Sequence, residues 1–382
     1  MLGPGALKAA LKARAHELGF DLVGITTVQP PAHLDHYQAW IAAGRHAGMG
    51  YLAGERALQR RSDPRTILPG CRSIIVTGTY YAPLETRQSR STSDARVAAY
   101  AQGDDYHTLL AARLQDLAGF LRAECGHEFE HRIYTDTGPL LERELAMRAG
   151  LGWIGKNTCL IHPSRGSYLL LAEMLLDLEL PPDEPFASDR CGSCTRCIEA
   201  CPTGCILPDR TLDAGRCISY LTIEEKSSIP AGLRPAIGDW LFGCDICQDV
   251  CPWNQRFACT VHDRAFQPRP VLTPLRLAGM LERKTGAWRD GLRGSPLERP
   301  RRRGLVRNAA VVAGNQRRSD LTGVLGELLR SDPEPIVREH AAWALGQLEP
   351  PDARAALQHA LQDEAHPGVR AAIQEALDQG SR

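Results

Sequence analysis

Two runs of cysteines have a spacing that suits metal chemistry. The first reads Cys-x-x-Cys-x-x-Cys-x-x-x-Cys-Pro over 191–202, and the second reads Cys-x-x-Cys-x-x-x-Cys-Pro over 244–252. Three thiolates in one short loop can hold an iron–sulfur cubane, and in the bacterial ferredoxin pattern the fourth cysteine ligates the other cluster. Cys217 can supply the ligand that the second run lacks. The spacing therefore predicts two [4Fe-4S] clusters, one held by Cys191, Cys194, Cys197 and Cys251 and the other by Cys201, Cys217, Cys244 and Cys247.

Structural zinc is the alternative for these cysteines. Zinc sites are usually built from separate Cys-x-x-Cys pairs, whereas the first run places three cysteines in one loop ahead of Cys201-Pro202. The pattern favours clusters, which in turn predicts a reducing, cytoplasmic compartment. The other cysteines stand singly among apolar or turn residues and are predicted to be small core residues. They are Cys71, Cys125, Cys159, Cys205 and Cys259.

The composition is that of a globular chain with real cores. Its 382 residues, 43% of them hydrophobic, predict two or three domains at about 100–200 residues each. The 45 Lys and Arg residues balance the 45 Asp and Glu residues, so contact with nucleic acid requires a local basic patch. Met1–Phe20 has the spacing of an amphipathic helix rather than of a signal peptide. No run of about 18 apolar residues occurs, so no membrane span is predicted.

Residues 1–180 alternate between extended and helical patterns. Strands are predicted over Asp21–Thr26, Ser73–Tyr81 and His131–Asp136, and helices over Ala6–Leu18, His33–Ala47, Tyr106–Cys125 and Pro139–Arg148. The apolar segment Gly166–Leu178 fits either a buried strand or a helix. We predict a multidomain α+β or α/β fold. Its parts are an α/β domain over residues 1–180, a ferredoxin-like two-cluster domain over residues 181–267 and a helical domain over residues 268–382.

A Val-Arg pair recurs in the last third of the chain. Val306-Arg307, Val337-Arg338 and Val369-Arg370 follow one another at spacings of 31 and 32 residues, each within an Ala-rich helical pattern. HEAT-type repeats are built in this way and stack into a solenoid. An ordinary helical bundle is the alternative, but the regular phase favours repeats.

Asp136 is the carboxylate with the most suggestive position. It ends a predicted strand and precedes a helix that starts with Pro139, a place where α/β proteins often expose functional groups. An Asp beside Thr-Gly-Pro is also a common turn or cap residue, so position alone leaves both readings open. The chain has no G-x-G-x-x-G and no P-loop motif. Asp105-Tyr106-His107 begins a D-x-H-x-x-G cobalamin-ligand motif but lacks its glycine.

A basic segment lies just before and within the first repeat. Arg283–Arg307 contains nine Lys or Arg residues against Asp290 and Glu298, which predicts binding of nucleic-acid phosphates. A solvated arginine-rich loop is the alternative, and the neighbouring helical repeats favour nucleic acid. The predicted contacts are Arg299, Arg301, Arg302, Arg303 and Arg307.

Together these features resemble the family of epoxyqueuosine reductases over nearly the whole chain. The resemblance rests on the cysteine runs, on the C-terminal repeats and on five stretches, YTDTGP (134–139), GWIGKNT (152–158), GSYLLLAE (166–173), CISYLTIE (217–224) and CDICQDVCPWN (244–254). Two positions depart from the family pattern. Gly54 stands where relatives tend to have Arg, which makes Arg56 a displaced equivalent, and Glu225 stands where relatives often have His.

The resemblance implies a function and its cofactors. Similar proteins reduce epoxyqueuosine at the wobble position of tRNA to queuosine, the last step of queuosine biosynthesis, in a fold similar to that of reductive dehalogenases. They use base-off cobalamin beside two [4Fe-4S] clusters, which feed electrons to the cob(I)alamin that attacks the epoxide. By resemblance, Asp136 is the proton donor and also faces the cobalamin. The other expected cobalamin-cavity residues are Arg56, Lys156, Asn157, Thr158, Ser167 and Tyr220.

The expected partners are a tRNA that carries epoxyqueuosine in its anticodon loop and an external low-potential electron donor. We further expect a monomer. A reductive dehalogenase-like enzyme acting on a small molecule is one alternative, which the basic helical tail disfavours. A ferredoxin-type electron carrier is another, which leaves the α/β domain of residues 1–180 without a purpose.

Overall fold

The computed structural model describes residues 2–81, 94–257, 261, 263–282, 291–348 and 351–379. Their contacts divide the chain into two compact units. Unit 1 comprises Met1–Leu84, Asp104–Gly215 and Ile246–Phe266, and unit 2 comprises Glu85–Gly103, Arg216–Asp245 and Gln267–Arg382. The three-domain division predicted from the sequence stays a prediction. Among the described helices, none combines the length and the apolar character that crossing a membrane requires.

Unit 1 combines a sheet with several helices; all elements are numbered in chain order over both units. Its helices are α1 (Pro4–Glu17), α2 (Leu34–Ala42), α3 (Glu55–Ser62), α4 (Tyr106–Cys125), α5 (Glu142–Arg148), α6 (Arg196–Glu199), α9 (Ile246–Asp249) and α10 (Pro252–Arg256). Its strands are β1 (Leu22–Thr26), β2 (Ser73–Tyr80), β4 (His131–Tyr134), β5 (Trp153–Ile154), β6 (Leu160–Ile161) and β7 (Leu169–Leu176).

The main sheet of unit 1 has the strand order β1-β2-β7-β4, and each neighbouring pair in it is antiparallel. The open segment Gly166–Leu178 therefore contains a strand, β7. Of the two predicted classes, antiparallel pairing places unit 1 in the α+β class. The register puts Glu173 of β7 between Val76 of β2 and Tyr134 of β4.

One face of this sheet packs against α5. Side chains from β2, β7 and α5 form a buried cluster that includes Ile74, Val76, Leu145, Ala146 and Leu175. Because alternate residues of a strand share a face, Glu173 lies on the same face as Leu171 and Leu175. A Cβ at Gly24 would lie 2.1 Å from the carbonyl oxygen of Ala149, so only glycine lets β1 approach the end of α5.

The predicted elements of residues 1–180 are present, with some shifted ends. The helix Tyr106–Cys125 has the predicted bounds, and the helix predicted over His33–Ala47 is shorter, Leu34–Ala42. The helix predicted from Pro139 begins at Glu142 instead. Leu141 has a non-helical ψ of 71°, so the chain ahead of Glu142 is a loop rather than a first turn.

Unit 2 consists mainly of helices. They are α7 (Ile218–Ile223), α8 (Arg234–Ile237), α11 (Leu277–Glu282), α12 (Arg301–Asn315), α13 (Thr322–Ser331), α14 (Pro335–Gly346), α15 (Pro351–Asp363) and α16 (Pro367–Gln379). Two short strands, β3 (Arg96–Val97) and β8 (Trp240–Phe242), pair in parallel within the same unit.

The repeated Val-Arg pairs have a physical basis in this unit. Val306, Val337 and Val369 are all buried, in α12, α14 and α16. Glycines let these helices approach closely, since a Cβ at Gly314 would lie 3.0 Å from Cα of Ala344 and one at Gly346 would lie 3.0 Å from Cα of Ala376. The regular phase thus stacks alternate helices, as the predicted repeats require.

The arginine of each pair bonds a carbonyl near the end of an earlier helix. The contacts are Arg307 to the carbonyl oxygen of Leu221 (2.7 Å), Arg338 to that of Asp332 (2.8 Å) and Arg370 to that of Leu361 (3.0 Å). These carbonyls lie in or just after α7, α13 and α15. Arginine stabilises such helix ends by bonding unsatisfied carbonyls, so the repeated arginine is a structural feature.

Candidate active site

Asp136 occupies a sharply shaped loop directly after β4. Its φ is 62°. This left-handed region is rare for residues other than glycine, although Asp and Asn tolerate it better than most. A Cβ at Gly138 would lie 2.5 Å from Cγ of Tyr134, so the loop can fold back onto the strand only with glycine there. The Thr-Asp-Thr-Gly stretch therefore determines where the Asp136 carboxylate points.

The start of α4 holds that carboxylate from one side. The Tyr106 hydroxyl donates to Oδ2 of Asp136 (2.7 Å), and Nε2 of His107 lies 3.5 Å from the same oxygen. Oδ1 of Asp105 lies 2.7 Å from Nδ1 of His107. A carboxylate only accepts, so Nδ1 carries the hydrogen and Nε2 is turned toward Asp136. The Asp136 side chain remains 55% exposed, so its carboxylate is available to a substrate.

Sequence reasoning missed the roles of Tyr106 and His107. The sequence placed them in an incomplete cobalamin-ligand motif, whereas the structure places both against Asp136. Asp105 is the sequence feature that could have indicated these positions. It caps α4 by accepting a hydrogen bond from the backbone N–H of His107 (3.1 Å). A capped first turn presents its side chains in fixed directions.

Two further carboxyl groups lie on the buried side of Asp136. Glu142 opens α5, and burial, followed by the charge of Asp136, raises the pKa of Glu142 to about 8. Glu173 is 0% exposed, and burial, followed by the charges of Glu142 and Asp136, raises its pKa well above the ordinary value. Carboxyl groups with raised pKa values near neutral pH are suited to proton transfer.

The first predicted cluster set comes together in unit 1. Cys191, Cys194, Cys197 and Cys251 line one cavity of about 280 Å³. Cys251 also packs with Trp153 and Ile161 in a small buried cluster. Four thiols that line one cavity match the donor set of a [4Fe-4S] cluster, so these residues fit the group.

The GWIGKNT stretch supports the loop that carries these cysteines. The Trp153 indole N–H donates to Sγ of Cys191 (3.4 Å). The Lys156 ammonium donates to the carbonyl oxygens of Gly192 (2.7 Å) and Cys194 (3.0 Å). A Cβ at Gly152 would lie 2.2 Å from the carbonyl oxygen of Ile161, so glycine is required where β5 meets β6.

Asn157 and Thr158 complete this hairpin. The Asn157 amide donates to the carbonyl oxygen of Cys247 at 3.5 Å. Thr158 has a φ of 64°, and its carbonyl oxygen accepts from Arg143 (2.6 Å). The predicted cobalamin contacts of Lys156, Asn157 and Thr158 stay predictions, beside these observed contacts within the protein.

Ser167 connects the start of β7 to the second cysteine run. Its backbone N–H donates to Oδ1 of Asn254 (2.6 Å), and its hydroxyl donates to Oε1 of Gln248 (2.9 Å). Gly166, at φ 75°, makes room for Asn254, because a Cβ there would lie 2.1 Å from Oδ1 of Asn254. Ser167 is 4% exposed, and its predicted role at cobalamin stays a prediction.

Three protein-family models match the chain. One described as epoxyqueuosine reductase QueG covers residues 61–137, one for a 4Fe-4S double cluster binding domain covers residues 190–254, and one for HEAT repeats covers residues 301–378. Epoxyqueuosine reductase of Pseudomonas aeruginosa is 41% identical over 345 residues, 90% of this chain and 94% of the relative. That of Escherichia coli is 36% identical over 344 residues, 89% of either chain.

This chain belongs to the epoxyqueuosine reductase family. Solved structures agree. A crystal structure of epoxyqueuosine reductase with an epoxyqueuosine-modified tRNA-Tyr stem loop superposes with a TM-score of 0.90 at 30% identity, covering 100% of both chains. The Bacillus subtilis reductase, solved with the loop of its catalytic Asp swung out of the active site, superposes with a TM-score of 0.89 at 31% identity, covering 99% of this chain and 100% of that one.

Four further cysteines are predicted to hold the second cluster. Cys201 and Cys247 belong to unit 1, and Cys217 and Cys244 belong to unit 2. The assignment of these four ligands stays a prediction. Of the cysteines predicted to be core residues, Cys71, Cys125 and Cys205 are buried, Cys159 is half-buried, and Cys259 lies outside the described residues.

The remaining predicted cavity residues differ in exposure. Tyr220 is 7% exposed, and its hydroxyl donates to Oε2 of Glu225 (3.2 Å). Oε1 of Glu225 accepts from the backbone N–H of Ser227 (2.8 Å), so the residue that departs from the family pattern is bonded within unit 2. Arg56 is exposed on α3. The cobalamin roles of Tyr220 and Arg56 stay predictions.

The arginines predicted to contact tRNA fall into different environments. Arg301 is exposed, while Arg299 and Arg303 are partly exposed. Arg302 forms an ion pair with buried Asp332. Arg283, Lys284 and Arg289 of the basic segment lie outside the described residues.

The prediction for Arg307 is wrong. Arg307 is 1% exposed, and its guanidinium donates to the carbonyl oxygens of Leu221 (2.7 Å), Glu225 (2.8 Å) and Ser227 (2.8 Å). A guanidinium buried and bonded in this way cannot reach a phosphate. The repeat directs this side chain inward, although its sequence neighbours are basic.

Proposed function

We propose that this chain reduces the epoxide of epoxyqueuosine in tRNA to queuosine, with Asp136 as the proton donor. Membership of the epoxyqueuosine reductase family supports the reaction, and the relative solved with a modified stem loop supports tRNA as the substrate. The observation that carries the proposal is the half-exposed Asp136, held by Tyr106 on a left-handed loop with two buried carboxyl groups behind it.

Asp136 is arranged to give up a proton and then to be stabilised as an anion. The Tyr106 hydroxyl donates to Oδ2, so Oδ1 is the oxygen that carries the proton toward the substrate. When the proton has left, the hydrogen bond from Tyr106 stabilises the carboxylate. Three carboxyl groups in electrostatic contact, those of Asp136, Glu142 and Glu173, cannot all ionise cheaply. The raised pKa values of Glu142 and Glu173 mean that these two groups keep their protons near neutral pH.

We assign the electron path to the two clusters, the first held by Cys191, Cys194, Cys197 and Cys251. The proposed cobalamin, when bound, supplies the strong nucleophile that opens the epoxide. The buried hydroxyl of Thr135, the neighbour of Asp136, has no hydrogen-bond partner among the described residues. That unused bonding capacity suits a polar group bound beside Asp136. The family resemblance, rather than a described contact, supports Arg56, Lys156, Asn157, Thr158, Ser167 and Tyr220 as further cobalamin-cavity residues.

We also propose that unit 2 contributes to tRNA binding through arginines ahead of the repeats. Arg301 is exposed and the Arg303 side chain is 41% exposed, so we choose these two for the test. Arg299 is also partly exposed, whereas Arg302 forms an ion pair with Asp332. A monomer in the cytoplasm and an external low-potential electron donor complete the proposal.

Conversion of the modified nucleoside is the direct test. The full chain is loaded anaerobically with both clusters and cobalamin and is then mixed with reductant and an epoxyqueuosine-containing tRNA stem loop. The RNA is digested, and the masses of the nucleosides are measured by mass spectrometry. We expect loss of one oxygen atom from the modified nucleoside. A loaded, reduced protein that leaves epoxyqueuosine unchanged would refute the proposed function.

A further inference from the structure

Glu142 and Glu173 form a buried carboxyl pair that the proposed mechanism does not yet use. Glu173 is 0% exposed, and neither of its oxygens accepts a hydrogen bond from a donor among the described residues. The charged group that acts on it most strongly is another carboxyl group, that of Glu142. Oε1 of Glu142 is also buried and has no hydrogen-bond partner among the described residues. Burying two neighbouring carboxylate charges is expensive when Glu173 has no donor among the described residues, so the pair holds protons.

The nearby cations are engaged elsewhere. Besides Glu173, the charged groups that act on Glu142 are Asp136, Arg143 and Arg61. Arg143 donates to the carbonyl oxygen of Thr158 at 2.6 Å. Arg61 donates to the carbonyl oxygen of Ala57 (3.3 Å) and lies over the Tyr37 ring at 5.5 Å. These two arginines lower the pKa of Glu142, but less than burial and Asp136 raise it.

The pair is also adjacent to the proposed proton donor. The backbone N–H of Asp136 hydrogen-bonds to the Glu142 carboxyl group, which fixes Glu142 beside the Asp136 loop. Glu173 sits beside Tyr134, the residue two before Asp136, through the pairing of β4 with β7. Both carboxyl groups are therefore held by regular elements, α5 and β7, next to the end of β4.

The stoichiometry of the proposed reaction requires more than one proton. Converting an epoxide to an alkene consumes two electrons and two protons and releases one water. The electrons come from the external low-potential donor. The first proton goes to the oxygen as the first C–O bond breaks, and the second allows that oxygen to leave as water when the other C–O bond breaks. A single carboxyl group such as Asp136 holds one proton at a time.

We propose that Glu142 supplies the second proton by transferring its own to the Asp136 carboxylate, while Glu173 keeps its proton and donates it as a hydrogen bond to the Glu142 anion. This inference rests on the proposed function. Solvent restores the protons of both Asp136 and Glu142 after the product leaves. Glu142 and Glu173 act through Asp136 and are positioning residues for the proton.

The pH dependence follows from the state of Glu142. A group with a raised pKa keeps its proton below that pKa, and for Glu142 the value is about 8. Glu142 is therefore protonated at pH 7 and loses its proton as pH rises through about 8. In the parent protein we therefore expect kcat to fall over that range.

Isosteric substitution separates this relay from a structural role. For Glu142→Gln we expect kcat at pH 7 to fall about tenfold or more, at the low end of what general acids contribute, with KM unchanged. The fall of kcat above pH 8 should disappear. Glu144→Gln is the matched control, because Glu144 lies on the same helix, is 3% exposed and accepts from the backbone N–H groups of Ala32 and His33. We expect it to keep the parent's kcat and pH profile.

Infrared spectroscopy gives a readout that does not depend on turnover. In the cluster-loaded full chain without substrate, we expect carboxylic-acid C=O bands at pH 7, one of which is lost above pH 8. Glu142→Gln should lack that band, and Glu173→Gln should lack a second one that persists to higher pH. Absence of both bands from the parent at pH 7 would overturn the relay, even if one variant failed to fold.

The failure of this inference can be told from the failure of the proposed function. A loaded parent protein that does not reduce epoxyqueuosine overturns the proposed function and the relay with it. An active parent whose Glu142→Gln variant keeps the same kcat and the same pH profile overturns the relay alone.

Discussion

The Tyr106 hydroxyl donates a 2.7 Å hydrogen bond to Oδ2 of Asp136. The two residues come from different elements, since Tyr106 is the first residue of α4 and Asp136 follows β4. The bond selects one oxygen of the carboxylate and leaves the other for the substrate. It is therefore the contact most closely tied to the proposed proton donation.

Tyr106→Phe should slow turnover without unfolding the protein. A hydrogen bond to a charged group contributes about 1.5–3 kcal/mol, so we expect kcat to fall about tenfold to a hundredfold as the Asp136 anion loses its donor. Tyr168→Phe is a matched control, because Tyr168 is also buried and donates to an aspartate, Asp249 (2.5 Å). Equal rates for both variants in single-turnover assays would argue against a role for Tyr106 at Asp136.

Trp153→Phe should change the reduction potential of one cluster. Hydrogen bonds to cluster sulfurs raise the potential, and Phe keeps the ring while losing the indole N–H that reaches Cys191. We expect about eight irons per chain, as for two [4Fe-4S] clusters, and a lower potential for one cluster in a redox titration. Trp253→Phe is the control, since Trp253 packs on Trp153 with ring centroids 5.0 Å apart. Identical potentials in the parent and Trp153→Phe would refute this assignment.

Arg307→Met should destabilise unit 2. The change leaves the carbonyl groups of Leu221, Glu225 and Ser227 without their donor, and each unsatisfied buried group costs about 1–3 kcal/mol. We expect the free energy of unfolding to fall by about 3 kcal/mol or more, measured by denaturant titration. Arg303→Met, on the same helix but 41% exposed, should change it by less than about 0.5 kcal/mol. An Arg307→Met variant as stable as the parent would contradict the structural role of Arg307 and restore it to the arginines predicted to contact tRNA.

Changing Arg301 and Arg303 together to Gln should weaken tRNA binding and flatten its salt dependence. Each lost phosphate contact removes about 0.7–0.9 from the slope of log K against log salt, so a combined change of about 1.5 is expected. Arg330→Gln removes another exposed arginine of unit 2, one paired with Glu327, and should leave the slope unchanged. If the double variant matches the parent at every salt concentration, these arginines do not contact tRNA.

Local spacing made the first cluster set predictable. Cys191, Cys194 and Cys197 lie within one short loop, so their convergence requires little of the fold. Cys251 joins them around the same cavity, as the ferredoxin pattern predicts. The sequence singles out Asp136 for a similar reason, because it follows a predicted strand, and its role as the acid stays a proposal.

Tertiary contacts explain what the sequence did not reveal. Glu173 is a single acid in an apolar strand, and its relation to Glu142 follows from the β4–β7 register and the packing of α5. Arg307 has basic sequence neighbours, yet the repeat buries it. Its shared phase with Arg338 and Arg370 was the available sign of a structural role. Lys156 was assigned to cobalamin by resemblance, while its observed contacts are with the cluster loop.

The Asp136→Asn variant tests the central claim most directly. Asn is nearly isosteric and tolerates the left-handed φ of 62° at this position, so the loop, both clusters and bound cobalamin should persist. Asn cannot donate a carboxylic proton, and general acids contribute about 10²–10⁴-fold. Single-turnover reduction of epoxyqueuosine tRNA should therefore slow by about that factor with an unchanged melting temperature. Reduction at close to the parent rate would show that Asp136 is not the acid.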